Sequence, residues 1–142
     1  MQSYDGLDPR SLLLLREAVL RHRESGARRR LPTTLHVGVP GARTLVHTHG
    51  PGEDQALRTD LVATMLDHLA LDRGGDPPHV YLWLVRSGEL SLHDDDVAWL
   101  APTHDACAQS EVTGVFAVVT REGWWCPHTG ASSRWVRLRR GQ

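Results

Sequence analysis

The sequence predicts a single α/β domain. The expected core is a mixed sheet of about five or six strands with three helices packed on it. The expected order is helix, two strands, helix, strand, an optional short strand, helix and three strands, with an α+β arrangement as the nearest alternative. Three observations carry this. Segments with apolar residues at helical spacing alternate along the chain with short β-branched and aromatic segments. The run Val80 to Val85 is apolar without polar alternation, as in a strand covered on both faces. The 142 residues, 40% hydrophobic and 23% charged, suffice for one core without a disulfide or metal staple.

The elements follow in order. Residues 1–7 are expected to be disordered. Asp8-Pro9 then supplies an N-cap followed by proline at the first helical position, where its missing N–H is harmless. That helix should run to about Glu24, with Gly26 ending it and Leu12, Leu15, Ala18, Val19 and His22 on its buried face. Glu17 and Arg21 fall on the other face at the favourable i, i+4 spacing. Next, Thr33 to Val39 and Ala42 to Thr48 alternate in strand fashion around the turn signal Pro40-Gly41. With a two-residue loop, Leu35 faces Val46 and Val37 faces Thr44. The opposite surface then gathers His36, Arg43, Leu45, His47 and His49. A longer loop would shift this register, because a proline-glycine type II turn twists against a two-residue hairpin.

After the break at His49-Gly50-Pro51-Gly52, Glu53 to Leu71 reads as a second helix with Leu61, Val62, Met65, Leu66 and Leu69 buried. Asp72 to Pro78 is a loop by composition. Beyond Val85, Ser87-Gly88 allows a short strand at Glu89 to Leu92. Asp94-Asp95-Asp96 then caps a third helix, which Pro102 should kink or divide. On that helix Val97, Leu100, His104 and Ala108 share an apolar face, which makes His104 a hydrogen-bonded core residue. Strands are expected at Gly114 to Thr120, Trp124 to Cys126 and Ser133 to Leu138.

Composition removes several kinds of chemistry. All 16 basic residues are arginine, so no lysine can form a Schiff base or hold a P-loop phosphate. Neither the dinucleotide fingerprint nor the phosphate-loop pattern occurs, and no Gly-x-Ser-x-Gly elbow is present. A net charge of −1 argues against a broadly electrostatic nucleic-acid binder. Lysine, isoleucine and asparagine, all with AT-rich codons, are absent, which implies a high-GC bacterial source. No apolar run approaches the roughly 20 residues that cross a bilayer, and the start lacks a signal-peptide pattern. Cytoplasmic location without a membrane partner follows as the expectation, with Cys107 and Cys126 as free thiols.

The candidate metal ligands are His36, His47 and His49. Alternate strand residues project imidazoles to one side about 7 Å apart, and a neighbour on the paired strand adds a third. Three imidazoles and a water make an open zinc site. Val46-His47-Thr48-His49, followed by Asp60 in the next helix, resembles the His-x-His…Asp spacing of the JAMM (MPN-type) metalloproteases. That resemblance implies zinc held by His47, His49 and Asp60, and hydrolytic activity. The family's serine position is occupied by Leu57, its usual proline by Gly50, and the only upstream glutamates are Glu17 and Glu24.

At the C-terminus, Trp135, Arg137 and Arg139 share one face of the expected last strand. With Arg28 to Arg30 nearby they would form a basic, aromatic surface suited to a protein hot spot or single-stranded nucleic acid. The leading expectation is a non-catalytic binding or interaction module using Trp135, Arg137 and Arg139, without a cofactor, and with a protein partner or a second copy of itself. A zinc hydrolase is the alternative, and nucleic-acid binding through the arginines the second.

Overall fold

Asp8 caps the first helix by accepting the Ser11 N–H at 2.7 Å, with Pro9 at the first helical position. In this computed structural model, which describes residues 6–26, 31–69 and 79–141, that helix is α1, Pro9–Glu24. Gly26 follows it at φ +73, a conformation glycine adopts without strain. The remaining elements are β1 (Thr34–Gly38), β2 (Thr44–Thr48), α2 (Gln55–Leu69), β3 (His79–Val85), α3 (Asp94–Gln109), β4 (Thr113–Val119), β5 (Gly123–Trp125) and β6 (Ser132–Arg134). Of residues 1–7, expected to be disordered, 1–5 lie outside the described residues, as do the Arg28–Arg30 run and the 72–78 loop.

The six strands form one mixed sheet in the order β2-β1-β3-β4-β5-β6, parallel only between β3 and β4. This is the α/β class read from the sequence. Parallel pairing requires a crossover, and α3 supplies it. The apolar β3 sits inside the sheet, and its side chains divide by parity between two cores. Val80, Leu82 and Leu84 join Leu35 and Val37 under α2 and α3. Tyr81 and Trp83 join Leu15, Ala18, Val19 and Trp124 under α1. Helices therefore cover both faces of the sheet.

The β1–β2 hairpin differs from the two-residue expectation by one residue. Ala42 N–H donates to Val39 C=O at 2.9 Å, and Gly41 takes φ +84, as a type II proline-glycine turn requires. Val39 N–H then bonds Arg43 C=O at 3.1 Å, so Ala42 belongs to the loop. The extra residue accommodates the twist that a type II turn cannot match in a two-residue hairpin. Leu35 consequently pairs with His47, and His36 with Val46. Every β2 side chain has changed face relative to the tight-loop register.

Gly38 makes this hairpin possible. Its φ is +144, and a Cβ there would lie 2.2 Å from the Arg43 carbonyl oxygen. Gly38→Ala is expected to cost at least about 1–3 kcal/mol from backbone conformation alone. Thermal melts of the variant against wild type test this, and an unchanged midpoint would remove Gly38 as the constraint.

Two further segments depart from expectation. Glu89 to Leu92 is not a strand, because the chain there curls around Arg86. The Arg86 guanidinium collects the carbonyls of Ser87, Glu89 and Ser91 and grips both Asp96 oxygens at 2.8 Å. Pro102 does not divide the third helix, which runs unbroken from Asp94 to Gln109. The last strand stops at Arg134, so Trp135, Arg137 and Arg139 do not share a strand face.

Candidate functional site

The changed β2 register decides the histidine constellation. His36 faces α1, where its ring stacks on Trp83 at 5.3 Å and its Nε2 bonds the Thr34 hydroxyl. His47 lies on the opposite face with Leu35, and His49 packs against the same tryptophan, Trp99. The shared face expected for His36, His47 and His49 is therefore not formed. Asp60 is on the exposed side of α2. Among the described residues, no three His, Cys, Asp or Glu side chains are placed to hold one metal ion.

Three of the ring nitrogens of His47 and His49 already face partners. Burial raises the Glu53 carboxyl, but the Gly50 N–H and His47 outweigh it and hold the group below its ordinary value. His47 Nε2 donates to this carboxylate at 2.8 Å. Trp99, fully buried, donates its indole N–H to His49 Nδ1 at 2.9 Å. The proton of a neutral His49 thus sits on Nε2, which faces Asp95 Oδ1 at 3.5 Å. Asp95 also accepts the Thr33 hydroxyl at 2.5 Å. This network ties the end of β2 to the starts of α2 and α3. A metal on His49 would have to displace either a buried indole donor or the contact with Asp95. Glu17 and Glu24, the only upstream glutamates, stand on α1, beyond the opposite face of the sheet, and both bind Arg140.

A wide groove lies elsewhere, beside α3 at the amino ends of β3 and β4. Its volume is about 840 Å³, and its walls include Leu82, Val97, Leu100, Val112 and Phe116. Polar groups enter it from Ser11, Thr103, His104, Asp105 and His128. Its main wall is the helix face that the sequence assigned to the core. The core face of α3 is instead Asp96, Trp99, Thr103, Ala106 and Cys107. Val97 is 54% exposed, and His104 is exposed and stacks on His128 at 6.3 Å. An apolar stripe records that a helix face is covered by something, without saying whether by the protein's own sheet or by a ligand. Gly114 contributes a close approach, since a Cβ there would meet Cys107 Sγ at 2.6 Å and Leu82 Cδ1 at 2.9 Å.

Both cysteines touch this groove, and both are buried free thiols. Burial pushes Cys107 up to about 11 and Cys126 up to about 12. At neutral pH almost no thiolate forms, so neither is a ready nucleophile.

The C-terminal surface is less open than the sequence reading had it. Trp135 is half-buried against the α1 core, while Arg137 and Arg139 are exposed. Arg140 spans Glu17 and Glu24, each at 2.6 Å, and Arg134 faces Glu122 at 3.7 Å. Comparison with protein-family models, with curated proteins and with solved structures finds no match to this chain. Among the described residues, no helix is long and apolar enough to cross a membrane.

Proposed function

We propose that this protein is a non-catalytic binding module whose ligand seat is the groove beside α3. The observation that carries this reading is the groove itself, whose volume of about 840 Å³ falls in the range of small-molecule sites. An apolar wall with a few polar groups, here His104, His128 and Asp105, suits a compact amphipathic ligand: the walls take its apolar body and the imidazoles orient its polar end. The protonated state of Cys107 and Cys126 favours binding over covalent chemistry. The basic surface around Arg137 and Arg139 has weaker support, because Arg134 and Arg140 lie against carboxylates that offset their charge.

An apolar fluorophore that brightens on leaving water tests the seat, with Ala108→Phe as the blocked variant. Ala108 is an exposed groove residue, so the larger ring fills the groove without overpacking the core. The expected result is saturable binding to wild type that weakens at least about tenfold in the variant, as loss of one buried apolar contact surface predicts. Equal binding to both proteins, or none to wild type, would remove the groove as the ligand seat.

A further inference from the structure

We infer that β2 is a self-pairing edge through which two copies of this chain join their sheets about a two-fold axis at Val46. This rests on the sheet edge and is independent of the groove.

The backbone geometry comes first. Val39 N–H bonds Arg43 C=O, and His49 N–H bonds Thr33 C=O. In an antiparallel ladder the bonded pairs alternate, so Leu45 and His47 also turn their polar groups towards β1. The N–H and C=O groups of Thr44, Val46 and Thr48 therefore point away from the sheet. Among the described residues, no strand lies beyond β2.

The sequence of this edge is self-complementary. A two-fold axis at Val46 sets Thr44 opposite Thr48 of the other copy, Val46 opposite Val46, and Leu45 opposite His47. Every outward N–H and C=O of those three residues then finds a partner, in the isologous geometry common to two-fold dimers. Threonine pairs and β-branched pairs are favourable across strands, and no like charges meet. Val46 is 56% exposed at the centre of the strand, so its side chain is free to meet its counterpart across the two-fold axis.

The two ends of the sheet are treated differently. Soluble proteins blunt their edges with charge, proline, bulges or short length. The far edge, β6, has three residues and carries Arg134. By contrast β2 has five, Thr-Leu-Val-His-Thr, with no Lys, Arg, Asp, Glu or Pro among them. One end is protected against pairing, whereas the other is suited to it. That the matching partner is the strand itself favours a second copy over an unrelated extended peptide.

A strand pair alone covers less than the roughly 800 Å² per partner of a standard interface, so a reversible dimer is expected. Sedimentation across protein concentrations from about 1 μM to about 1 mM should show mass rising from one copy to two, the span expected for a weak complex. Val46→Lys and Val46→Pro should stay monomeric throughout while keeping the wild-type circular dichroism. Proline is tolerated at this position because the lost N–H points away from β1. In a third variant, Val46→Cys, the two thiols should form a disulfide under mild oxidation. Directly opposed bonded residues lie about 5.5 Å apart between Cα atoms, within disulfide reach. The buried native thiols stay silent, and Val136→Cys, at a 98% exposed site, measures random collision. The inference is overturned by a wild type that stays monomeric, by a dimer that persists in both Val46→Lys and Val46→Pro, or by equal crosslinking of the two cysteine variants.

Discussion

Arg86→Ala is expected to lower the unfolding free energy by about 3–5 kcal/mol, the range for breaking a buried ion pair by removing one partner. Arg86 is 3% exposed and Asp96 is fully buried. Truncating the arginine leaves the Asp96 charge in a dry site. It also leaves the carbonyls of Ser87, Glu89 and Ser91 without the donor that shapes the β3–α3 connection. Asp96 retains only the backbone N–H of His93, at 3.0 Å, from this neighbourhood. Asp96→Ala should be comparably damaging, because it strands the guanidinium. The double replacement Arg86→Met with Asp96→Leu should cost less than either single change, since no buried charge remains. Urea denaturation of the four proteins measures this. A double replacement that loses more stability than either single change would overturn this reading.

The second large effect is on acid stability. Burial, reinforced by His22, pushes His36 down to about 4, against an ordinary value of 6.5. The folded chain keeps this ring neutral on Trp83, while the unfolded chain takes up a proton near pH 6.5. Between those pH values unfolding binds a proton, so the stabilisation present above pH 6.5 is lost as pH falls towards 4. The full gap corresponds to about 3 kcal/mol. His22, lowered chiefly by its own burial and then by Arg121 and Arg23, acts in the same direction. Glu17, Glu24 and Glu53, all held below their ordinary values, add further loss at more acidic pH. Subtracting the stability curve of His36→Phe from that of wild type isolates the histidine, because those carboxylates are common to both. The difference should shift by about 3 kcal/mol between pH 7.5 and 4, following the same linkage. Parallel curves would mean that His36 keeps its ordinary affinity for protons in the fold.

Much of the fold was legible because it follows from short-range rules. Asp8-Pro9 and Gly26 bound α1 through capping and the freedom of glycine at positive φ, which depend on neighbours in the chain alone. The apolar run at β3 required cover on both faces wherever it was placed. Even the hairpin turn was correct in type, with Pro40 and Gly41 at its centre. The longer loop was readable as the alternative to the tight hairpin, but the choice of register was not, since it depends on how the turn's twist is absorbed. That single residue separated His36 from His47 and His49 and dispersed the expected metal site.

The Arg86–Asp96 pair was hidden for a related reason. Asp96 stands third in an acidic run that reads fully as a helix start, and it does serve there, accepting the His93 N–H. Nothing local distinguishes it from Asp94 and Asp95. Its burial is imposed by the packing of α3 on the sheet, which brings Arg86 to it.

The sequence by itself determined the α/β class, the helix boundaries near their caps, the central position of β3 and the absence of lysine chemistry. Hydrogen-bond capping, turn preferences and hydrophobic periodicity act over a few residues, and each can be read along the chain. Tertiary structure alone decided which apolar stripe became core and which became groove. On α3, Trp99 and Cys107 point to the sheet while Val97 and Leu100 line open space. Both sets satisfy helical spacing, and only the position of the sheet relative to the helix chooses between them.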